Sequence, residues 1–404
     1  MESDQLSICM YTPTASGGHA RYTHALLSAL SEAGQNGGVR VSLVSSQDLD
    51  PRYRTSLYPI YATLPALKPR SVFRSNASWA CSRIVHYYRR ERAFLRWIEE
   101  HNKMCEGIHF QEYMVWLFGP RHFRLLKARG KRLFFTVHNV YPHRYLTRKI
   151  NAPYSVGLSR TRTTLRLCDA LFVHSESLRG QLAEFLGAGH PPIWVTPHGV
   201  WDSAGDARAA TNADERVHRR RLLFFGVIRR NKGLRTLLRA MERLVDCTLT
   251  VAGPPEDVRY QQQVRAMIEQ MPLGRVELID RFIEDDEMAR LFNQSSLVIL
   301  PYSAFAAQSG VLHDALAYGL PVVATDVGAL GESVRSWGIG QVVPPNNDAA
   351  LAYAIREMLT LDHYTQASRI VDRVRTDFSW NRTAEITIEA YHSVMRDRSK
   401  ATTP

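Results

Sequence analysis

Short apolar runs rich in β-branched and aromatic residues alternate along the chain with longer segments of helical periodicity. Such runs are typical of parallel strands buried on both faces, where a crossover helix joins each strand to the next. Two series of this kind follow one another, which predicts two doubly wound α/β domains in tandem. The predicted strands are 6–12, 39–45, 107–112, 132–138, 170–174 and 193–196, then 221–227, 248–252, 275–278, 297–300, 321–325 and 341–343.

A segment without apolar periodicity, residues 201–218, separates the two series and consists mainly of small and charged residues. This composition is typical of a linker. We therefore expect an N-terminal domain over 1–200, a linker over 201–218 and a C-terminal domain over 219–378. Apolar residues at helical spacing after Trp380 predict a last helix within 379–404.

The composition is that of a soluble globular protein, because 45% of the 404 residues are hydrophobic and 22% are charged. No apolar run approaches the roughly 20 residues that span a bilayer. The first residues lack the basic-then-apolar order of a signal peptide, so we expect a cytoplasmic protein. The five cysteines are scattered without metal-ligand spacing.

Positive charge is concentrated in the first half of the chain. Residues 1–200 hold 26 Lys and Arg against 13 Asp and Glu, and residues 113–168 contain no acidic residue at all. Residues 83–97 have the pattern of a basic amphipathic helix, which is typical of helices that lie on anionic membranes. A helix packed on its own domain and a merely soluble basic surface are the alternatives. Single-stranded nucleic acid is disfavoured, because no nucleic-acid module is recognisable.

Two turns carry residues suited to binding phosphate. Gly17 and Gly18 follow the first strand and precede a helix, where backbone amides face an anion. Arg229 and Lys232 follow the first strand of the second series, and two cations there suit a departing diphosphate. Each turn could equally be a structural one.

The segment 301–325 is the richest in candidate chemistry. Ser309 and Gly310 can open a helix whose amides point at phosphate, and Asp314 would lie one turn further on, near an attached ribose. His138 ends a predicted strand at the mouth of a crevice, although a lone histidine there is often structural. No histidines have a metal-ligand spacing, so we expect no metal site.

The segment 301–325 resembles the signature of the retaining glycosyltransferases of family 4, whose pattern has two glutamates separated by seven residues and then Ala-x-Ala-x-Gly-x-Pro-Val-Val-Ala. Residues 314–324 fit the second half of this pattern closely. The resemblance extends over nearly the whole chain, in family order. The other matching segments are Gly17-Gly18, Thr136-Val137-His138-Asn139, Pro197-His198-Gly199-Val200, the turn from Gly226 to Gly233 and Phe378-Ser379-Trp380.

The resemblance implies a GT-B fold of two facing Rossmann-like domains, with the last helix crossing back onto the N-terminal domain. It implies that Arg229 and Lys232 hold the diphosphate of a nucleotide-sugar donor, with Ser309 and Gly310 adding contacts. Further implied roles are ribose binding by Asp314, phosphate and acceptor binding by Gly17 and Gly18, and sugar contact by His138. No cofactor and no metal are implied.

Two residues depart from the family pattern. The second glutamate is replaced by the shorter Asp314, and the other departure concerns sugar recognition. The first glutamate of the pair is replaced by Ala306, and Gln308 is the neighbouring polar candidate for part of its role. The resemblance predicts retaining, metal-independent hexosyl transfer in polysaccharide biosynthesis. We expect a carbohydrate or lipid-linked acceptor and contact with the inner face of an anionic membrane. A catalytically lapsed GT-B binding protein and a sugar-nucleotide epimerase of the same fold are the alternatives.

Overall fold

The computed structural model describes residues 5–66, 76–113, 119–140, 152–200, 212–304 and 309–401. Their contacts divide the chain into two compact units. Unit 1 contains the described residues up to 197 together with 380–401, and unit 2 contains the described residues of 198–379. No described helix is both long enough and apolar enough to cross a bilayer.

In the described residues, unit 1 contains a seven-stranded sheet of order β3-β2-β1-β4-β5-β6-β7, and every neighbouring pair is parallel. Its strands are β1 (Leu6–Tyr11), β2 (Val39–Ser46), β3 (Ile60–Leu64), β4 (Gly107–Phe110), β5 (Arg132–Thr136), β6 (Ala170–Val173) and β7 (Ile193–Val195). Its helices are α1 (Gly17–Gly37), α2 (Asn76–Glu100), α3 (Gly119–Ala128), α4 (Ala152–Arg166), α5 (Glu176–Leu186) and, from the end of the chain, α14 (Trp380–Ala401).

Unit 2 is built in the same way around a six-stranded sheet of its described residues, in the order β10-β9-β8-β11-β12-β13. Its strands are β8 (Arg221–Phe225), β9 (Thr248–Ala252), β10 (Val276–Ile279), β11 (Leu297–Leu300), β12 (Val322–Thr325) and β13 (Gly340–Val343). Its helices are α6 (Ala213–Arg219), α7 (Leu234–Arg243), α8 (Val258–Glu269), α9 (Asp285–Gln294), α10 (Gly310–Ala317), α11 (Gly328–Trp337), α12 (Asp348–Met358) and α13 (Leu361–Asp377).

The two parallel sheets confirm the predicted pair of doubly wound α/β domains. In each sheet the strand order reverses beside the first strand, between β1 and β4 in unit 1 and between β8 and β11 in unit 2. Ligands of such sheets bind beyond the carboxyl ends of the strands at this reversal. Topology alone therefore predicts that ligands bind at the turns that follow β1, β4, β8 and β11.

Two details differ from the sequence-based expectations. The edge strand β3 was not predicted, because its five residues lie between Pro59 and Pro65 in a segment dominated by basic and aromatic residues. The predicted linker is too long at its C-terminal end, since residues 213–219 form α6 within unit 2. Asn212 caps that helix by accepting a hydrogen bond from the Glu215 amide at 2.7 Å. Residues 201–211 lie outside the described residues.

The C-terminal helix α14 packs in unit 1, although unit 2 precedes it in the chain. The Tyr391 hydroxyl lies 2.6 Å from Nδ1 of the buried His109 on β4. Nε2 of His392 lies 2.6 Å from the carbonyl oxygen of Gly37 at the end of α1. These contacts complete the core of unit 1 with residues from the far end of the sequence.

Candidate functional site

The turn after β8 is held against the end of β11 by a glycine. Residues Arg230–Lys232 form a single 3-10 turn, which ends at Gly233 with a φ of 68°. A Cβ atom at Gly233 would lie 1.7 Å from the carbonyl oxygen of Pro301. Only glycine therefore allows both the left-handed backbone and this close approach.

Asn231 fastens the same turn to the loop that follows β11. Its carbonyl oxygen accepts a hydrogen bond from the Ser303 amide at 2.9 Å. Its side-chain amide donates to the carbonyl oxygen of Ala304 at 3.2 Å. The two loops at the strand reversal are thus tied together, which places Lys232 beside Tyr302.

Lys232 is an unusual lysine because its ammonium group is largely removed from water. Its Nζ atom lies 3.7 Å above the centre of the Tyr302 ring, within the range of a cation–π contact. Burial, and secondarily the charge of Arg229, lowers the pKa of Lys232 from its ordinary 10.5 to about 7. An anion bound next to Lys232 would favour the protonated form and would itself be stabilised by it.

Arg229 is the more accessible cation of the pair. Its side chain is 41% exposed, and its Nε atom lies 3.3 Å from a carboxylate oxygen of Glu256. Ion pairs at the surface contribute little free energy. A doubly charged diphosphate can therefore compete with Glu256 for the Arg229 guanidinium.

The start of α10 completes this group of residues in unit 2. The hydroxyl of the buried Ser309 lies 2.9 Å from the hydroxyl of Tyr302, and it makes no capping bond to the helix. The amides and the positive dipole end of the first turn are therefore suited to an anion. Gly310 is exposed, and a Cβ atom there would meet no described atom within 4 Å.

Asp314 lies one turn further along α10 and is buried. Burial raises the pKa of Tyr302, and the charge of Asp314 raises it further, so both groups occupy one electrostatic environment. The structure thus brings together Arg229, Lys232, Ser309, Gly310 and Asp314, as predicted from sequence positions up to 85 residues apart. Gln308 lies outside the described residues.

The glycine turn of unit 1 is an exposed helix start. Gly17 has a φ of 78°, which explains the glycine by backbone geometry alone. Gly18 has neither a positive φ nor any described atom within 4 Å of a Cβ built on it. The fold of the described residues therefore does not require glycine at position 18, which leaves space for a ligand to approach the backbone.

A buried arginine of α2 holds the loop that leads into this turn. The Arg90 guanidinium donates to the carbonyl oxygen of Pro13 at 2.9 Å, to the Ser46 hydroxyl at 2.9 Å and to the carbonyl oxygen of Pro65 at 2.8 Å. These acceptors lie at the end of β2 and just beyond the ends of β1 and β3. Arg90 therefore joins three strand ends next to the start of α1.

His138 lies just beyond β5 in a group of aromatic rings. Its Nδ1 atom is 3.0 Å from Nε2 of His174, which follows β6. The rings of His19 and Tyr22 on α1 meet it edge-on, at centroid distances of 4.7 Å and 5.0 Å. His138 is thus at a carboxyl strand end, as predicted, in contact with the helix that Gly17 and Gly18 begin.

Comparison with known proteins relates this arrangement to one family. Residues 16–204 match the family model described as Glycosyltransferase Family 4, and residues 219–361 match the model described as Glycosyl transferases group 1. The chain belongs to the family 4 glycosyltransferases. Matches in both parts of the chain therefore confirm the family resemblance that the sequence motifs predicted.

Individual relatives agree with this assignment. A glycogen synthase of Mycobacterium tuberculosis is 29% identical over 245 residues, a match that covers 57% of this chain and 56% of that protein. The match therefore spans little more than half the length of that relative.

Solved structures extend the likeness over nearly the whole chain. A sucrose-phosphate synthase from Thermosynechococcus elongatus has a TM-score of 0.74 at 19% identity and covers 97% of this chain and 100% of its own. The catalytic domain of starch synthase IV from Arabidopsis thaliana has a TM-score of 0.68 at 14% identity, covering 97% and 99%. These neighbours confirm the GT-B fold.

Sequence reasoning missed several residues that hold the candidate site residues of unit 1 and unit 2 in place in this family 4 protein. Tyr302, Asn231 and Arg90 act through contacts with distant segments, and no local motif marks them. His174 had a usable signal, because it ends a predicted strand adjacent to the one that His138 ends. Carboxyl ends of neighbouring parallel strands lie side by side, so the two rings could have been paired.

Proposed function

We propose that this protein transfers a sugar from a nucleoside diphosphate sugar to a carbohydrate acceptor, with retention at the reacting carbon. The observation that carries the proposal is the convergence of Arg229, Lys232 and the start of α10 at the strand reversal of unit 2. The starch synthase IV structure was determined with ADP and acarbose, so one protein of this fold binds a nucleoside diphosphate. In our proposal, Asp314 accepts hydrogen bonds from the ribose hydroxyls.

Catalysis in this proposal depends on stabilising the departing diphosphate. Negative charge grows on the diphosphate as its bond to the sugar breaks. Fixed cations and backbone amides therefore stabilise the transition state more than they stabilise the intact donor. Arg229 and Lys232 supply two positive charges, the task that a divalent metal performs in other transferases. We infer that the acceptor hydroxyl attacks the reacting carbon from the face on which the bond to phosphate breaks, and that the hydroxyl proton passes to the leaving phosphate oxygen.

The sugar and acceptor contacts are assigned to unit 1. We propose that Gly17 and Gly18 contact the phosphates and the acceptor, and that His138 contacts the sugar. The exposed, uncrowded Gly18 supports a ligand that approaches the backbone.

Thermal unfolding with a panel of nucleotide sugars tests the donor proposal. A bound donor should raise the melting temperature, because it binds only the folded state. Gly310→Ala should abolish most of this rise, since the added methyl group would occupy the space for phosphate. Gly180→Ala on α5 is the matched control, because Gly180 also has no described neighbour within 4 Å of its Cβ position.

Both substitutions should leave the free protein as stable as before, or up to about 1 kcal/mol more stable, because alanine favours helix. A panel without any stabilising nucleotide sugar would contradict the donor proposal. Ala306 favours a second candidate, a lapsed enzyme. Stabilisation by a donor without any transfer or hydrolysis would identify that candidate.

We further propose that the acceptor is lipid-linked or a cell-surface polysaccharide precursor and that unit 1 contacts anionic membranes. Helix α2 buries Phe94, Trp97 and Ile98 in unit 1, so the packed-helix alternative accounts for its apolar side. Its other side remains exposed. That exposed stripe consists of Val85, Tyr88, Arg89, Arg92 and Arg96.

Flotation with liposomes tests the membrane proposal. Replacing Arg89, Arg92 and Arg96 together with glutamine should abolish binding to anionic vesicles at low salt, because each basic residue near such a surface contributes about 1 kcal/mol. The matched control changes the same charge elsewhere in unit 1, at the exposed Arg40, Arg179 and Arg382. Equal binding by the two triple variants would contradict a specific role of α2, and wild-type binding that ignores salt would contradict an electrostatic one.

A further inference from the structure

The carboxyl ends of β5 and β6 place two histidine rings in direct contact in unit 1. We propose that His174 is a positioning residue that holds His138 in the tautomer with hydrogen on Nδ1, so that Nε2 accepts a hydrogen bond from a hydroxyl of bound carbohydrate. The identity of that ligand rests on the proposed function. The tautomer itself follows from the geometry of unit 1.

His174 is the more deeply buried ring of the pair. Nδ1 of His174 lies 3.0 Å from the carbonyl oxygen of Thr196, the residue that follows β7. A carbonyl oxygen only accepts hydrogen bonds, so Nδ1 of His174 must carry hydrogen. Burial lowers the pKa of His174 to about 4, which keeps the ring neutral near pH 7. Its Nε2 atom therefore has a lone pair and acts as an acceptor.

The second ring must complement the first. Nδ1 of His138 lies 3.0 Å from this Nε2 atom, so it must donate a hydrogen to the Nε2 lone pair. The opposite tautomer of His138 would face one lone pair with another inside a partly buried pair of rings. Leaving buried polar groups unpaired in this way is unfavourable. A neutral His138 therefore presents Nε2 as a hydrogen-bond acceptor.

The ring orientation is fixed as well as the tautomer. Tyr22 meets the His138 ring at an interplanar angle of 88° and in turn packs on Trp380, with centroids 5.2 Å apart. His19 meets it from another direction at 86°. Because α1 and α14 supply these rings, both the plane and the acceptor atom of His138 are set before a ligand binds.

Nitrogen-15 NMR of the histidine side chains in the full chain measures the tautomer directly. For the wild type near pH 7.5, we expect His138 to show a protonated Nδ1 and an unprotonated Nε2, with its signals assigned by their loss in His138→Gln. In His174→Phe, which keeps a ring but no acceptor, the two nitrogens of His138 should shift towards an average of both tautomers. His109→Phe is the matched control, because His109 is a buried histidine of β4 bonded to Tyr391 and Thr136.

A conservative variant separates tautomer control from simple packing. The amide oxygen of glutamine in His174→Gln can accept the hydrogen of His138, so this variant should keep the wild-type signals. In transfer assays, His174→Phe should lower kcat by about tenfold, the value of one hydrogen bond, with little change in the donor KM. His174→Gln should recover most of this loss.

Several results would overturn the inference. One is a wild-type His138 with its hydrogen on Nε2, and another is a His174→Phe variant whose His138 signals match the wild type. A changed tautomer with unchanged kcat would overturn its role in transfer. The NMR measurement needs no substrate, so a protein that binds no nucleotide sugar would refute the proposed function without deciding the tautomer.

Discussion

Replacing Arg229 and Lys232 together with alanine is expected to lower the rate of sugar transfer by about 100-fold or more. The two cations are the charged groups placed to meet the diphosphate as its bond to the sugar breaks. Alanine removes both charges while the turn remains fixed by Gly233 and Asn231. The measurement is kcat with saturating donor, together with the donor KM.

Arg230 supplies a matched control on the same turn. Its guanidinium lies 4.9 Å from the centre of the Tyr260 ring and 3.6 Å from a carboxylate oxygen of Asp257. Arg230→Ala should therefore change transfer by no more than a few-fold. Transfer that survives unchanged in the double variant would refute the assigned roles of Arg229 and Lys232.

Replacing Lys232 with methionine is expected to stabilise the free protein near pH 7 while weakening donor binding. The lowered pKa of Lys232 means that its protonated form is disfavoured by the folded protein. Methionine has no charge to desolvate and can pack its sulfur against the Tyr302 ring. We expect an increase in the free energy of unfolding on the order of a few kcal/mol, measured by chemical denaturation without ligand.

The stability gained by Lys232→Met should depend on pH. Between about pH 7 and 10.5, the unfolded chain holds a proton on Lys232 that the folded protein has released. The wild type should therefore gain stability as the pH rises across this window. The destabilisation that protonated Lys232 causes in the folded state should be present in full below pH 7. The advantage of Lys232→Met should accordingly shrink towards pH 10.

Lys127 is the control lysine, because it forms an ion pair of 2.7 Å with Asp169. Lys127→Met should give no such gain in stability near pH 7. A Lys232→Met variant that is no more stable than the wild type would show that the buried ammonium group does not destabilise the free protein. A stabilised variant that binds donor as tightly as the wild type would show that Lys232 does not contact the diphosphate.

The sequence by itself determined the two doubly wound domains and the turns that carry the candidate residues. Strand and helix periods are local properties of the chain, and the turns after β1, β8 and β11 are defined by glycines and charged residues next to them in sequence. Parallel topology then requires these turns to lie at one edge of each sheet. Gly17, Lys232 and Gly310 could therefore be chosen from local signals.

Only the tertiary structure decided the chemical state of those residues. Burial against Tyr302 lowers the pKa of Lys232, and Tyr302 lies 70 positions along the chain. The tautomer that we propose for His138 depends on His174 and, through it, on the carbonyl of Thr196. Desolvation and hydrogen-bond direction depend on which distant groups surround an atom. A local pattern can therefore locate a reactive side chain, but its protonation is set by packing.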